Sequence, residues 1–162
     1  MSPLEVIAAK RDHIARFANQ GGATGEQQAV LSMEHWIPRP RGSDLRMLLE
    51  ELAATGIVIK ASSFDALGLS SPIDIADRMQ VRMFLPTITF IEIKSANQPR
   101  VRPGFGGFFF ALTESEIVAA DQLGWRHRVA LFNKLTGEML LTSVPEILAR
   151  TRSMNWQLSV QL

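Results

Sequence analysis

The run from Thr87 to Asn97 places two opposite charges inside a stretch that otherwise reads as a buried strand. Its β-branched and aromatic residues favour extended structure. Side chains alternate across a strand, so Glu92 and Lys94 share one face and Ile91 and Ile93 the other. Burying a carboxylate and an ammonium together costs desolvation unless the two are paired or put to use. Any fold for this chain must account for that pair.

The chain has 162 residues, enough for one domain with a sizeable core. Hydrophobic residues make up 46% and charged ones 20%, the balance of a globular protein rather than a disordered one. No apolar run reaches membrane-spanning length, and the first ten residues do not read as a signal peptide, so a cytoplasmic protein is expected. With no cysteine, disulfides and thiolate metal sites are excluded, and three scattered histidines argue against a zinc site. Net charge is +1, so no global field favours nucleic acid. The positive charge is carried mainly by arginine, however, in close pairs such as Arg78/Arg82 and Arg100/Arg102. Arginine suits bidentate phosphate contacts.

Ser2-Pro3-Leu4-Glu5 predicts a capped helix ending at Gly21-Gly22, and Thr24 a second with Val30, Met33 and Trp36 on its apolar face. Ser43 or Asp44 is expected to cap a third, with Leu45, Leu48, Leu49 and Leu52 inward and Gly56 just beyond its end. Ile57 to Ala61 reads as a strand, residues 62–71 as a loop, and Pro72-Ile73-Asp74-Ile75 as a strand start. Residues 76–83 fit either a helical turn or a strand. After the central strand, 97–107 is a connection rich in proline and glycine. Its Gly104-Phe105-Gly106-Gly107 lacks the lysine and helix of a P-loop. Thr113 and Glu116 form a capping box for a helix to Leu123, Arg128 to Phe132 is a strand, and Glu138 to Thr142 its hairpin partner. Ser143 caps a last short helix, and residues 156–162 alternate as a terminal strand. These elements predict an α/β (α+β) domain with a mixed sheet. A helical region over 1–56 is expected to pack on a core over 57–162 as one compact unit.

An αβββαβ order with Glu-x-Lys on the third strand resembles the PD-(D/E)XK nuclease superfamily. More closely, Phe90 to Ala96, Phe109 to Glu116 and Gly124 to Arg128 resemble the nuclease-like domain named after the plant protein NO VEIN. His127 stands where that domain usually has tyrosine. The resemblance implies a restriction-endonuclease-like core and a metal-dependent nuclease, or the nuclease subunit of a DNA restriction or repair system. Its implied partners are DNA and a restriction or repair protein, with a homodimer as one assembly for cutting both strands, and its implied cofactor is Mg²⁺ or Mn²⁺.

In that reading Glu92, an upstream aspartate and the Ile93 carbonyl would supply hard oxygen ligands. Lys94 would stabilise negative charge at the phosphate. Asp74 is the preferred aspartate because of its apolar strand-like context, Asp77 substitutes if the strand begins later, and Asp65, in a polar loop, ranks third. Asp74 also fits a plain capping role for the segment that follows. Glu116 is a capping residue first and a site residue second, and Gln98 is a candidate by proximity. Arg78, Arg82, Arg100 and Arg102 flank the motif as candidate phosphate contacts. The alternatives are a catalytically silent domain of the same fold that binds DNA or a partner protein, and an ordinary domain in which Glu92 and Lys94 form a structural ion pair.

Overall fold

The structure is a computed structural model and describes residues 29–30, 33–96, 101–154 and 160–161. The helix expected from Ser2 to Gly21 lies outside these residues, as does most of the second, of which Ala29 and Val30 are helical; of the strand expected at 156–162 only Val160 and Gln161 are described, and neither is in a strand.

A five-stranded mixed sheet, in the order β1-β2-β3-β4-β5, forms the frame. Its strands are β1 (Trp36–Pro38), β2 (Ala66–Gly68), β3 (Thr89–Ala96), β4 (His127–Asn133) and β5 (Met139–Thr142). Every neighbouring pair is antiparallel except β3 and β4, which run parallel, with Glu92 beside Val129 and Lys94 beside Leu131. A parallel pair needs a long crossover, and helix α3 (Glu114–Leu123) lies in it. The other described helices of more than one turn are α1 (Gly42–Ala54), α2 (Arg78–Phe84) and α4 (Val144–Arg150).

Local chemistry explains several boundaries. Thr113 and Glu116 form the full capping box at the start of α3. Ser143 accepts a bond from the Glu146 N–H at the start of α4, where Pro145 occupies the first turn. Helix α1 starts one residue before Ser43, with Arg41 in the cap position, and Asp44 falls in the first turn rather than capping it. Gly56, at φ +87°, turns the chain out of α1 in the left-handed region that glycine tolerates. Gly68 ends β2 where a Cβ would run into the Thr89 side chain.

Three expectations need correcting. Trp36 begins β1 instead of lying on a helix face. Residues 57–60 are not a strand: Ile57 and Ile59 are half-buried against the core, but the ladder position beside β3 belongs to β2, inside the expected loop. Residues 72–75 likewise alternate, with Ile73 and Ile75 packed inward, yet make no ladder. In both places alternation reflected burial without strand pairing. The ambiguous segment after Ala76 is helical, because Asp77 caps it.

On one sheet face Leu48 and Leu52 of α1, Val81 of α2 and Ala119 and Leu123 of α3 close over Phe64, Leu67 and Phe90. On the other, Ala29, Val30 and Trp36 gather with Ile91, Ile93, Ala130 and Phe132. Ile91 and Ile93 therefore face away from Glu92 and Lys94, as strand alternation requires. Among the described residues no helix is long and apolar enough to cross a membrane.

Candidate functional site

β3 delivers the two charges to the α3 side of the sheet. Glu92 is 5% exposed, and its Oε1 lies 2.9 Å from Lys94 Nζ. Lys94 Nζ also donates to Glu116 Oε1 at 2.8 Å. Glu116 belongs to the first turn of α3, where its Oε2 accepts the Thr113 N–H at 2.9 Å. The capping box thus fixes a carboxylate where Lys94 reaches it.

A third carboxylate arrives from β2. Ala66 is the ladder partner of Ile91, and the Asp65 N–H also donates to the Ile91 carbonyl at 2.8 Å. Two successive residues face one, the arrangement of a β-bulge, which bends a strand and re-aims a side chain. Asp65 turns its Oδ2 onto the Ile93 N–H at 2.9 Å. The N–H and carbonyl of a strand residue point to the same edge, so the Ile93 carbonyl lies on the Asp65 side.

The electrostatics follow from crowding acids under cover. Burial, and then the charge of Asp65, push Glu92 up to about 8. Burial raises Asp65 as well, opposed by the Ile93 N–H and the charge of Arg39. The two carboxyls therefore titrate as a pair that retains a shared proton near neutral pH. Burial disfavours the Lys94 ammonium, but its bonds to Glu116 and Glu92 outweigh that and raise its pKa. Glu116 is lowered: burial opposes its charge, and Lys94 and the Thr113 N–H overcome it. Glu92 Oε2 is buried and meets no donor among the described residues other than the proton shared with a neighbouring carboxyl. Ionising two carboxyls that meet only each other is costly to the protein alone and is favoured by a cation that displaces their proton.

The sequence-predicted residues divide sharply. Glu92, Lys94 and Glu116 come together, but Asp74 does not join them. Asp74 is exposed in the turn before α2, where its Oδ1 accepts the Ala76 N–H at 2.9 Å. Asp77 caps α2, accepting from the Met79 and Gln80 N–H groups. Neither contributes to the charge balance at Glu92, whereas Asp65 does. Asp65 is the aspartate beside the motif. The sequence carried a signal for this: Phe64, Asp65 and Ala66 alternate as a strand start does, in a stretch read as polar loop.

Arg78 and Arg82 are both engaged by carboxylates of α1. Arg78 bonds Glu51 at 2.7 Å and Glu50 at 2.8 Å, and Arg82 Nε bonds Glu51 at 2.8 Å. Their guanidinium groups hold the 4%-exposed Glu51 well down, to about 2. These pairs tie α2 to α1. Arg102 is exposed and forms a small bridge with Gly106. Arg100 and Gln98 lie outside the described residues.

Among the described residues no group of three or more His, Cys, Asp or Glu is placed to hold a metal ion. Mg²⁺ commonly takes one or two carboxylates and retains several waters. The Asp65–Glu92 pair and the nearby Ile93 carbonyl fit that donor chemistry. Comparisons with protein-family models, with curated proteins and with solved structures found no match.

Proposed function

We propose that this chain is a metal-dependent nuclease, or the nuclease subunit of a DNA restriction or repair system, with a restriction-endonuclease-like core. The observation that carries the reading is the convergence of Asp65, Glu92 and Lys94 across the β2–β3 pair, with two buried carboxyls sharing a proton that a cation would displace. Opposite charges in a structural ion pair would not need a second carboxylate pressed against the first.

In this reading Asp65 and Glu92, with the Ile93 carbonyl, hold Mg²⁺ or Mn²⁺. The cation when bound supplies charge neutralisation at the phosphate and an acidified water. Displacing the proton shared by Asp65 and Glu92 is part of binding it. Lys94 stays protonated between Glu92 and Glu116 and offers its N–H groups to a phosphoryl oxygen as negative charge develops. Glu116 keeps the ammonium aimed, since one of its oxygens is already tied to the start of α3. A single such site cuts one strand, so a double-strand break calls for a second copy or a second encounter.

The test is conversion of supercoiled plasmid to nicked circle in Mg²⁺ or Mn²⁺, beside folded Glu92→Ala and Lys94→Ala proteins. Nicking by the wild type that EDTA abolishes and both variants lack supports the reading. Binding of DNA without nicking, unchanged in either variant, favours the silent nuclease-fold domain.

A further inference from the structure

Asp65 does not stand on a regular strand; it ends a short strap, residues 61–64, that has no ladder partner. Such a backbone must find donors elsewhere, since buried carbonyls are rarely left unpaired. Two basic side chains from distant parts of the sheet provide them. Arg39, just after β1, donates through Nη1 to the carbonyls of Ala61 at 2.8 Å and Phe64 at 2.9 Å. Its own N–H donates to the Asp65 carbonyl at 2.8 Å. His127, the first residue of β4, is 1% exposed and sets its Nε2 3.3 Å from the carbonyl of Ser63, which is itself fully buried. Its Nδ1 is buried and makes no hydrogen bond among the described residues. Burial holds the ring neutral, so its one proton sits on Nε2, where the Ser63 carbonyl accepts it.

We infer that Arg39 and His127 are positioning residues for Asp65, clamping the strap from both sides so that the Asp65 carboxylate meets the Ile93 N–H beside Glu92. The inference rests on the nuclease reading for its consequence but not for its geometry. Three strap carbonyls, at 61, 63 and 64, are fixed within four residues of Asp65, and Phe64 is wedged edge-on against Phe90 with ring centres 5.1 Å apart. Asp65 is left with little freedom except at its own side chain. In metal sites, groups that orient the ligands typically alter affinity 10–100-fold when removed.

Amide hydrogen exchange on the metal-free full chain tests this, read as the rate at Ile93 relative to Ala130 in the middle of β4. Arg39→Ala and His127→Ala are expected to raise that ratio about 10-fold, and His127→Gln to restore part of it. Taking the ratio removes any general loss of stability, which would speed both amides. Where Arg39→Ala does not fold, Arg39→Lys, a point charge without the planar fork, is read the same way. An unchanged ratio in the folded variants overturns the clamp. Calorimetric titration with Mn²⁺ is run in parallel and should show roughly 10–100-fold weaker binding in the same variants. A wild type that takes no Mn²⁺ while the variants still unprotect Ile93 upholds the clamp and sinks the nuclease reading instead.

Discussion

Glu116 Oε1 accepts a hydrogen bond from Lys94 Nζ at 2.8 Å while Glu116 Oε2 caps the helix that carries it. One carboxylate therefore sets both the start of α3 and the direction of the ammonium. Glutamine serves in a capping box as glutamate does, so Glu116→Gln should leave α3 intact by circular dichroism. With the charge gone, Lys94 has only Glu92 to hold it, and plasmid nicking should fall about 10-fold. Unchanged nicking would remove Glu116 from the site and leave it a cap.

Lys94 sits between two buried carboxyls, and deleting it strands Glu116, the one that is ionised at neutral pH. Removing one partner of a buried ion pair costs roughly 3–5 kcal/mol. Lys94→Met should lose stability on that scale in urea unfolding at pH 7. Part of the loss should return as pH falls, because without Lys94 the buried Glu116 takes up a proton more readily. A loss that does not change with pH would mean that packing, not charge, holds Lys94 in place.

Glu92 predicts a particular pH dependence. Its pKa rises from about 4.5 unfolded to about 8 folded, so between these values the folded state holds a proton that the unfolded state has released. Stability of the metal-free protein should therefore fall as pH rises from about 5 to about 8. Glu92→Gln carries no titrating group and should flatten that part of the profile, becoming more stable than wild type at pH 8.5. A wild-type profile that rises through this window would contradict the crowded, protonated pair.

The Arg78–Glu51–Arg82 cluster predicts the opposite sign. Glu51 is held below its unfolded value, to about 2, so its contribution is present above pH 4.5 and is lost as pH falls toward 2. Arg82→Ala should lower the melting temperature at pH 7 and leave the salt dependence of DNA binding unchanged. A flatter salt slope would return Arg82 to the phosphate-contacting set.

What the sequence revealed, and what it hid, has a common cause. Glu92 and Lys94 were legible because charges interrupting a strand violate burial unless something answers them, and the face they share follows from alternation alone. The caps at Thr113, Asp77 and Ser143 are local chemistry and are readable from a few residues. Asp65 was misjudged because its place depends on a bulge opposite Ile91, which only the partner strand defines. The same gap made Ile57–Lys60 look like a strand: burial alternates there, but pairing is decided elsewhere in the chain. Arg78 and Arg82 looked available because Glu51 lies 27 and 31 residues away. Arg39 and His127 act on backbone carbonyls, which no residue pattern advertises.

Asp65 against Asp74 separates the three-dimensional site from the linear one most directly. Plasmid nicking in Mn²⁺ should be lost in Asp65→Asn, which removes the charge but retains an acceptor for the Ile93 N–H, and should be unchanged in Asp74→Asn. Nicking that survives Asp65→Asn and disappears in Asp74→Asn would contradict the site described at the β2–β3 pair.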